Sequence, residues 1–187
     1  MSSPRPRCLL TDTDVIIVLH ECGLWEALCA GYRVAVPASI VRGEAQFYYT
    51  ADGRRRELHL IDAVAAGTID EVAADAGDLV RLRDAFAVSV LERLHIGESE
   101  ALALLLAGAA PGCPFVTGDQ AAIEALAMLG LAERGLSLER ALAGIGRRLP
   151  ALPVRHQFGE TYWSAHTRRG QERRITGDGL RRTGDGG

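Results

Sequence analysis

Arg7-Cys8-Leu9-Leu10-Thr11-Asp12-Thr13-Asp14-Val15-Ile16 is the stretch on which the fold turns. Arg7 to Thr11 reads as a short buried strand that stops at Asp12, after which Val15, Ile16, Leu19 and Cys22 recur at helical spacing. A strand that runs straight into a helix is half of a parallel β-α-β unit. In parallel sheets ligands bind at the carboxyl ends of the strands, so an acid at that junction stands in the functional position. The same acid can also serve only as a helix N-cap, accepting a backbone N–H.

Working outward, the pattern repeats. Tyr32 to Val36 is a second β-branched run closed by Pro37, and Ala38 to Tyr48 follows as a helix with Glu44 midway. Phe47 to Ile61 reads either as a hairpin or as a mobile basic loop, given the turn-like Ala51-Asp52-Gly53 and the run Arg54-Arg55-Arg56. Asp70 to Leu94 is expected to be helical. Gly97 to Ala107 is a helix apolar all round, Pro114 to Thr117 a short strand, and Gln120 to Leu129 a helix. Asp119 ends that later strand as Asp12 ends the first. Ser137 to Ile145 fits one more helix, and Phe158, Tyr162, Trp163 and His166 form an aromatic stripe on a short one. The alternation predicts an α/β domain with a central parallel sheet covered by helices on both faces, a three-layer α/β/α arrangement.

The chain has 187 residues, which suits one α/β domain with an appendage. All 21 basic residues are arginine, and the absence of lysine removes Schiff-base chemistry, lysine general bases and the phosphate-binding lysine of P-loops. Cys8, Cys22, Cys29 and Cys113 form no CxxC pair and no zinc-like spacing, so they read as apolar core residues of a reducing compartment. Asp12 and Asp14 interrupt the first apolar run and spoil both a signal peptide and a membrane span, and the expected location is the cytoplasm. Charge divides the chain: residues 1–146 carry 12 arginines against 20 acids, whereas 147–187 carry 9 against 4. An acidic body over 1–146 thus bears a basic extension over 147–187, expected to be partly helical and then mobile from Arg168 onward. The five histidines are scattered, with no nucleophile–His–acid arrangement, and read as structural or surface residues.

Four acidic segments fall in order. Asp12-Thr13-Asp14, Glu44 after Val34-Ala35-Val36-Pro37, Gly97-Glu98-Ser99-Glu100-Ala101, and Val116-Thr117-Gly118-Asp119 together resemble the PIN domain, the metal-dependent nuclease fold of many bacterial toxin ribonucleases. The resemblance spans about residues 8 to 130. It departs from the family in carrying Asp14 where Asn is usual, in the basic insertion of residues 47–61, and in running past the usual C-terminus. The resemblance implies a Mg²⁺- or Mn²⁺-dependent endoribonuclease, with an antitoxin or other protein partner, or a second copy of the chain, as companions and no membrane. Asp12, Glu44, Glu100 and Asp119 would be catalytic, with Asp12, Glu100 and Asp119 on the metal. Asp14 and Thr117 would support them, Thr117 by orienting Asp119. Glu98 stands in reserve, because helix positions two apart point about 200° away from each other. Elementary electrostatics agrees, since crowded carboxylates need cations between them. Arg54, Arg55, Arg56, Arg168 and Arg169 either hold the phosphates of an RNA substrate or form a solvated surface and a mobile end.

Two other readings stay open. Asp12-x-Asp14 after an apolar strand also resembles the haloacid-dehalogenase phosphatases, whose middle motif wants a lysine or, more rarely, an arginine. A PIN-like scaffold can also bind RNA or a partner without cleaving anything.

Overall fold

The computed structural model describes residues 7–10, 12–44, 47–50, 52–151 and 156–181, with side chains from residue 12 onward except that of Glu44. The first half-unit is β1 (Arg7–Leu10) and α1 (Thr13–Glu21), then α2 (Trp25–Gly31) and β2 (Arg33–Pro37). A hairpin follows, β3 (Phe47–Tyr49) and β4 (Arg55–Glu57), then α3 (Leu60–Ala65) and β5 (Ile69–Val72). Next come α4 (Ala76–Ala85), α5 (Val88–Leu91), α6 (Ile96–Leu106), β6 (Phe115–Val116) and α7 (Gln120–Met128). The chain closes with β7 (Gly135–Leu136), α8 (Leu138–Ala143) and α9 (Glu160–Thr176).

The main sheet runs in the order β5-β2-β1-β6-β7, and every pairing in it is parallel. It is an α/β fold. Alternate residues feed two separate apolar clusters: Val34, Val36 and Val116 join α1, α2 and α8 in one, while Ala35 and Phe115 join α6 and α7 in the other. The order has a consequence for function. From β1 the chain moves to one side through β2 and β5, then crosses to the other through β6 and β7, so the strand order reverses between β1 and β6. That reversal opens a crevice at the carboxyl ends of these two strands, the place where open parallel sheets bind ligands.

Two expectations are corrected and one alternative is decided. Asp70 to Leu94 is not one helix: Ile69–Val72 pairs with Val34–Pro37 as an edge strand, and α4 begins only after Asp75, whose side chain caps it. The strand pairs despite its acidic composition, and Arg33 and Arg42 bind Asp70 and Glu71 at 2.8 and 2.6 Å, one on each face of the strand. Ala38 to Tyr48 is not one helix either; it is a helical turn that widens into a π-helical segment, Ile40–Glu44, before β3. Phe47 to Ile61 takes the hairpin form, with Tyr48 turned inward against His20.

The basic extension is folded where a mobile tail was expected. α9 runs through Arg168 to Thr176 and packs along α7, with Gly170 so close that a Cβ there would run into the Glu124 carbonyl oxygen. Only the last residues, 182–187, of the stretch expected to be mobile lie outside the described residues. Phe158 is buried in the first apolar cluster and Trp163 in the second, so the extension plugs into both. Among the described residues no helix is long and apolar enough to cross a membrane.

Candidate carboxylate site

Asp12 and Asp119 stand at the ends of β1 and β6, on either side of the reversal in strand order. Both are helix N-caps. Asp12 Oδ1 accepts the Asp14 N–H at 2.7 Å, and Asp119 Oδ1 accepts the Ala122 N–H at 2.9 Å. Capping engages one oxygen of each carboxylate, so the structural and the functional role coexist in one side chain. Asp12 Oδ2 accepts two further bonds, from the Gly118 N–H at 2.9 Å and the Thr117 hydroxyl at 3.2 Å. The same hydroxyl accepts the Asp119 N–H at 2.9 Å. Fully buried Thr117 therefore ties the two acids into one unit.

A cavity of 580 Å³ opens over this pair. Asp12, Thr13 and Asp14 line it from the β1–α1 junction, His95 and Glu98 from the start of α6, and Gly118, Asp119 and Gln120 from the β6–α7 junction. His156, Gln157 and Tyr162 line it from the C-terminal extension. Four of these residues are acids, and among the described residues no arginine lines the cavity. The electrostatic result is visible at Asp12: burial above all, then the neighbouring Asp14 charge, hold its carboxyl above the ordinary range, against the lowering effect of the Gly118 and Asp14 N–H groups.

The two glutamates of α6 separate as helical phase requires, with Glu98 on the cavity side. Glu98 lines the cavity, and its Oε2 accepts the His95 N–H at 2.9 Å. Glu100 is turned to the other side, where Oε2 accepts from the Ser39 N–H at 3.0 Å and hydroxyl at 2.8 Å, and Oε1 from the Ala74 N–H at 3.2 Å. Those three donors tie Glu100 to the chain following β2 and β5. The sequence reading puts Glu100 on the metal with Glu98 in reserve; in the structure it is Glu98 that lines the cavity, while Glu100 is bonded to Ser39 and Ala74. The π-helical segment ends at Glu44, whose side chain lies outside the described residues.

Arg54, Arg55 and Arg56 are exposed on the hairpin, and Arg168 and Arg169 are exposed on α9; none lines the cavity. Conversely, His95, His156, Gln157 and Tyr162 line it without having been singled out from sequence. His95 had one usable signal, its place immediately before the Gly97-Glu98 segment. The others had none, since nothing local tells an aromatic stripe that returns to a site from one that simply packs.

Comparison with family models, with curated proteins and with solved structures finds no match to this chain.

Proposed function

We propose that the protein is a divalent-metal-dependent nuclease of the PIN type, built as a three-layer α/β/α domain, that hydrolyses RNA phosphodiesters in the reducing cytoplasm. The observation that carries this reading is the convergence of Asp12, Asp14, Glu98 and Asp119 from three segments into one cavity at the reversal in strand order.

The donor set fits a small hard cation. Every acid in the cavity offers oxygen, and burial first, then the like charges of Asp14 and Asp119, raise the Asp12 carboxyl, of which a bound cation would relieve the charge repulsion. Among the described residues no three such side chains are grouped as a ready cage. Mg²⁺ asks for none, because it keeps several waters and takes one or two carboxylates plus substrate phosphate. Asp12 and Asp119 would hold the ion, with Glu98 reaching it through a retained water, and Asp14 adds negative charge at the mouth. When bound, the metal supplies a water activated for attack and neutralises charge on the phosphate. Thr117 keeps Asp12 and Asp119 in fixed register, and the two N-cap bonds stop either carboxylate from rotating away. The phosphatase reading is less well supported, since the cation that would grip a phosphoryl group does not line the cavity among the described residues.

The test is cleavage of single-stranded RNA with Mg²⁺ or Mn²⁺, with EDTA, and in Asp12→Asn and Asp119→Asn. Expected are metal-dependent cleavage by the wild type alone and a metal-induced rise in melting temperature that both variants lose. Cleavage that persists in EDTA or in both variants overturns the reading.

A further inference from the structure

The wall of the cavity built by the C-terminal extension differs in kind from the acidic one. His156 is exposed and Tyr162 half-buried, and their rings meet edge to face at 5.2 Å and 80°. Tyr162 in turn lies 4.3 Å from the ring of His166, which is buried and bonded through Nδ1 to Glu124 at 3.0 Å. Three rings therefore run from solvent into the interior, and the innermost is anchored.

The wall is also keyed to the acids. The Phe158 ring and the Gln157 stem lie against Gly118, where a Cβ would come within 2.6 Å of Phe158 Cε1 and 3.0 Å of Gln157 Cγ. Gly118 is the residue that donates to Asp12 and precedes Asp119, so the segment that carries the aromatic wall packs directly on the loop between the two carboxylates. Tyr162 registers the proximity: burial first, then the charges of Asp119 and Glu124, push its phenol up.

A ligand suited to such a cavity carries phosphate, delivered with a cation, at one end and a flat apolar face at the other. We propose that His156, Gln157 and Tyr162 form a nucleobase subsite. The His156 and Tyr162 rings stand nearly perpendicular, so one takes the face of an unstacked base while the other bounds its edge, and the Gln157 amide, both donor and acceptor, reads that edge. The inference rests on the nuclease reading and deepens it: the substrate is single-stranded at the scissile position, because a paired base cannot present its face to this wall.

The experiment measures affinity for a fluorescent single-stranded RNA and for a set of the same strand carrying one abasic nucleotide at each position in turn. Ca²⁺ replaces Mg²⁺ to suppress cleavage. Wild type is expected to bind the intact strand about five- to tenfold more tightly than at least one of the abasic strands. His156→Ala and Tyr162→Leu should erase most of that difference, whereas Tyr162→Phe retains it. His156 is exposed, so its variant tests the subsite even where Tyr162→Leu disturbs packing. Equal affinities for the intact and all the abasic strands, alongside Asp12-dependent cleavage, overturn the subsite alone. Discrimination that survives in His156→Ala and Tyr162→Leu overturns it too. Base discrimination by a protein with no Asp12-dependent cleavage overturns the nuclease reading and keeps the subsite, and no binding of any strand overturns both.

Discussion

Two buried carboxylates, Asp12 over the sheet and Glu124 on α7, meet opposite fates. Glu124 is 4% exposed, with Oε1 held by His166 Nδ1 at 3.0 Å and Gln120 Nε2 at 2.9 Å, and Oε2 by Arg173 Nη1 at 3.3 Å. Burial pushes its pKa up, but the His166 and Gln120 bonds and the nearby Arg93 charge outweigh that and leave it below the usual value. Asp12, 9% exposed, is bonded by neutral donors and faces other acids, and its pKa is raised. A carboxylate that holds the fold together is surrounded by the chain's own cations and donors. One left facing other carboxylates costs stability, and such a cost persists where function requires it.

The largest effect that sharpens this contrast is catalytic. On the proposed function, Asp12→Asn and Asp119→Asn should lower kcat for RNA cleavage at least about a hundredfold, and Glu98→Gln about tenfold, since each removes charge from the site proposed to hold a metal. Glu100→Gln should cost under about threefold, because Glu100 faces Ser39 and Ala74 instead. Single-turnover kinetics on the four variants checks the order, and a dead Glu100→Gln beside a fully active Glu98→Gln would reverse the assignment.

Glu124→Ala comes next. It leaves His166 beside a buried void and takes from Arg173 one of its two carboxylates, Asp178 remaining at 3.0 Å, and should remove about 3 kcal/mol of stability in urea unfolding. The same change should leave the metal-induced melting shift intact. Gly170→Ala attacks the same helix pair sterically, forcing α9 off the Glu124 carbonyl, and should cost about 1–3 kcal/mol.

The pH dependence of stability in EDTA separates the two acids by sign. Asp12 has a raised pKa, so the folded state binds its proton more tightly than the unfolded one, and stability falls as pH rises from 3.8 through the raised value. Glu124 has a lowered pKa, so its contribution is present above 4.5 and is lost as pH falls through the lowered value. Unfolding curves between pH 3 and 7 for wild type, Asp12→Asn and Glu124→Gln should diverge in these opposite directions. Parallel curves would erase the distinction between the two sites.

The smallest stability effect belongs to Arg54, Arg55 and Arg56. They are exposed, with Arg54 paired to exposed Asp52 at 3.0 Å and Arg55 lying 4.2 Å over the Phe47 ring, so the triple alanine variant should stay within about 1 kcal/mol of wild type. If these arginines hold phosphates, the log-log salt slope of RNA affinity falls by nearly one for each phosphate that the variant no longer neutralises.

The sequence was most legible where one residue did two jobs. Asp12 and Asp119 cap helices at strand ends, so local pattern and site chemistry point to the same positions, and both fall beside the crevice. It was least legible where the decisive partner was remote. Glu98 and Glu100 sit two apart on one helix, and only the approach of Ser39 and Ala74 decided which of them turned away from the cavity. β5 hid inside an acidic stretch because its pairing with β2 and the Arg33 and Arg42 bonds lie more than 25 residues away in sequence.

By itself the sequence determined an α/β chain with acids at two strand ends, because strand and helix periodicity and N-cap preference act over a few residues. It also settled that arginine alone supplies the fixed positive charge. Only the tertiary structure decided the strand order that puts β1 beside β6, the choice of Glu98 for the cavity, and the return of the C-terminal extension to wall it. Those depend on which apolar faces bury against which, and on the Glu124–His166–Arg173 network that fastens α9 to α7, interactions that no local period encodes.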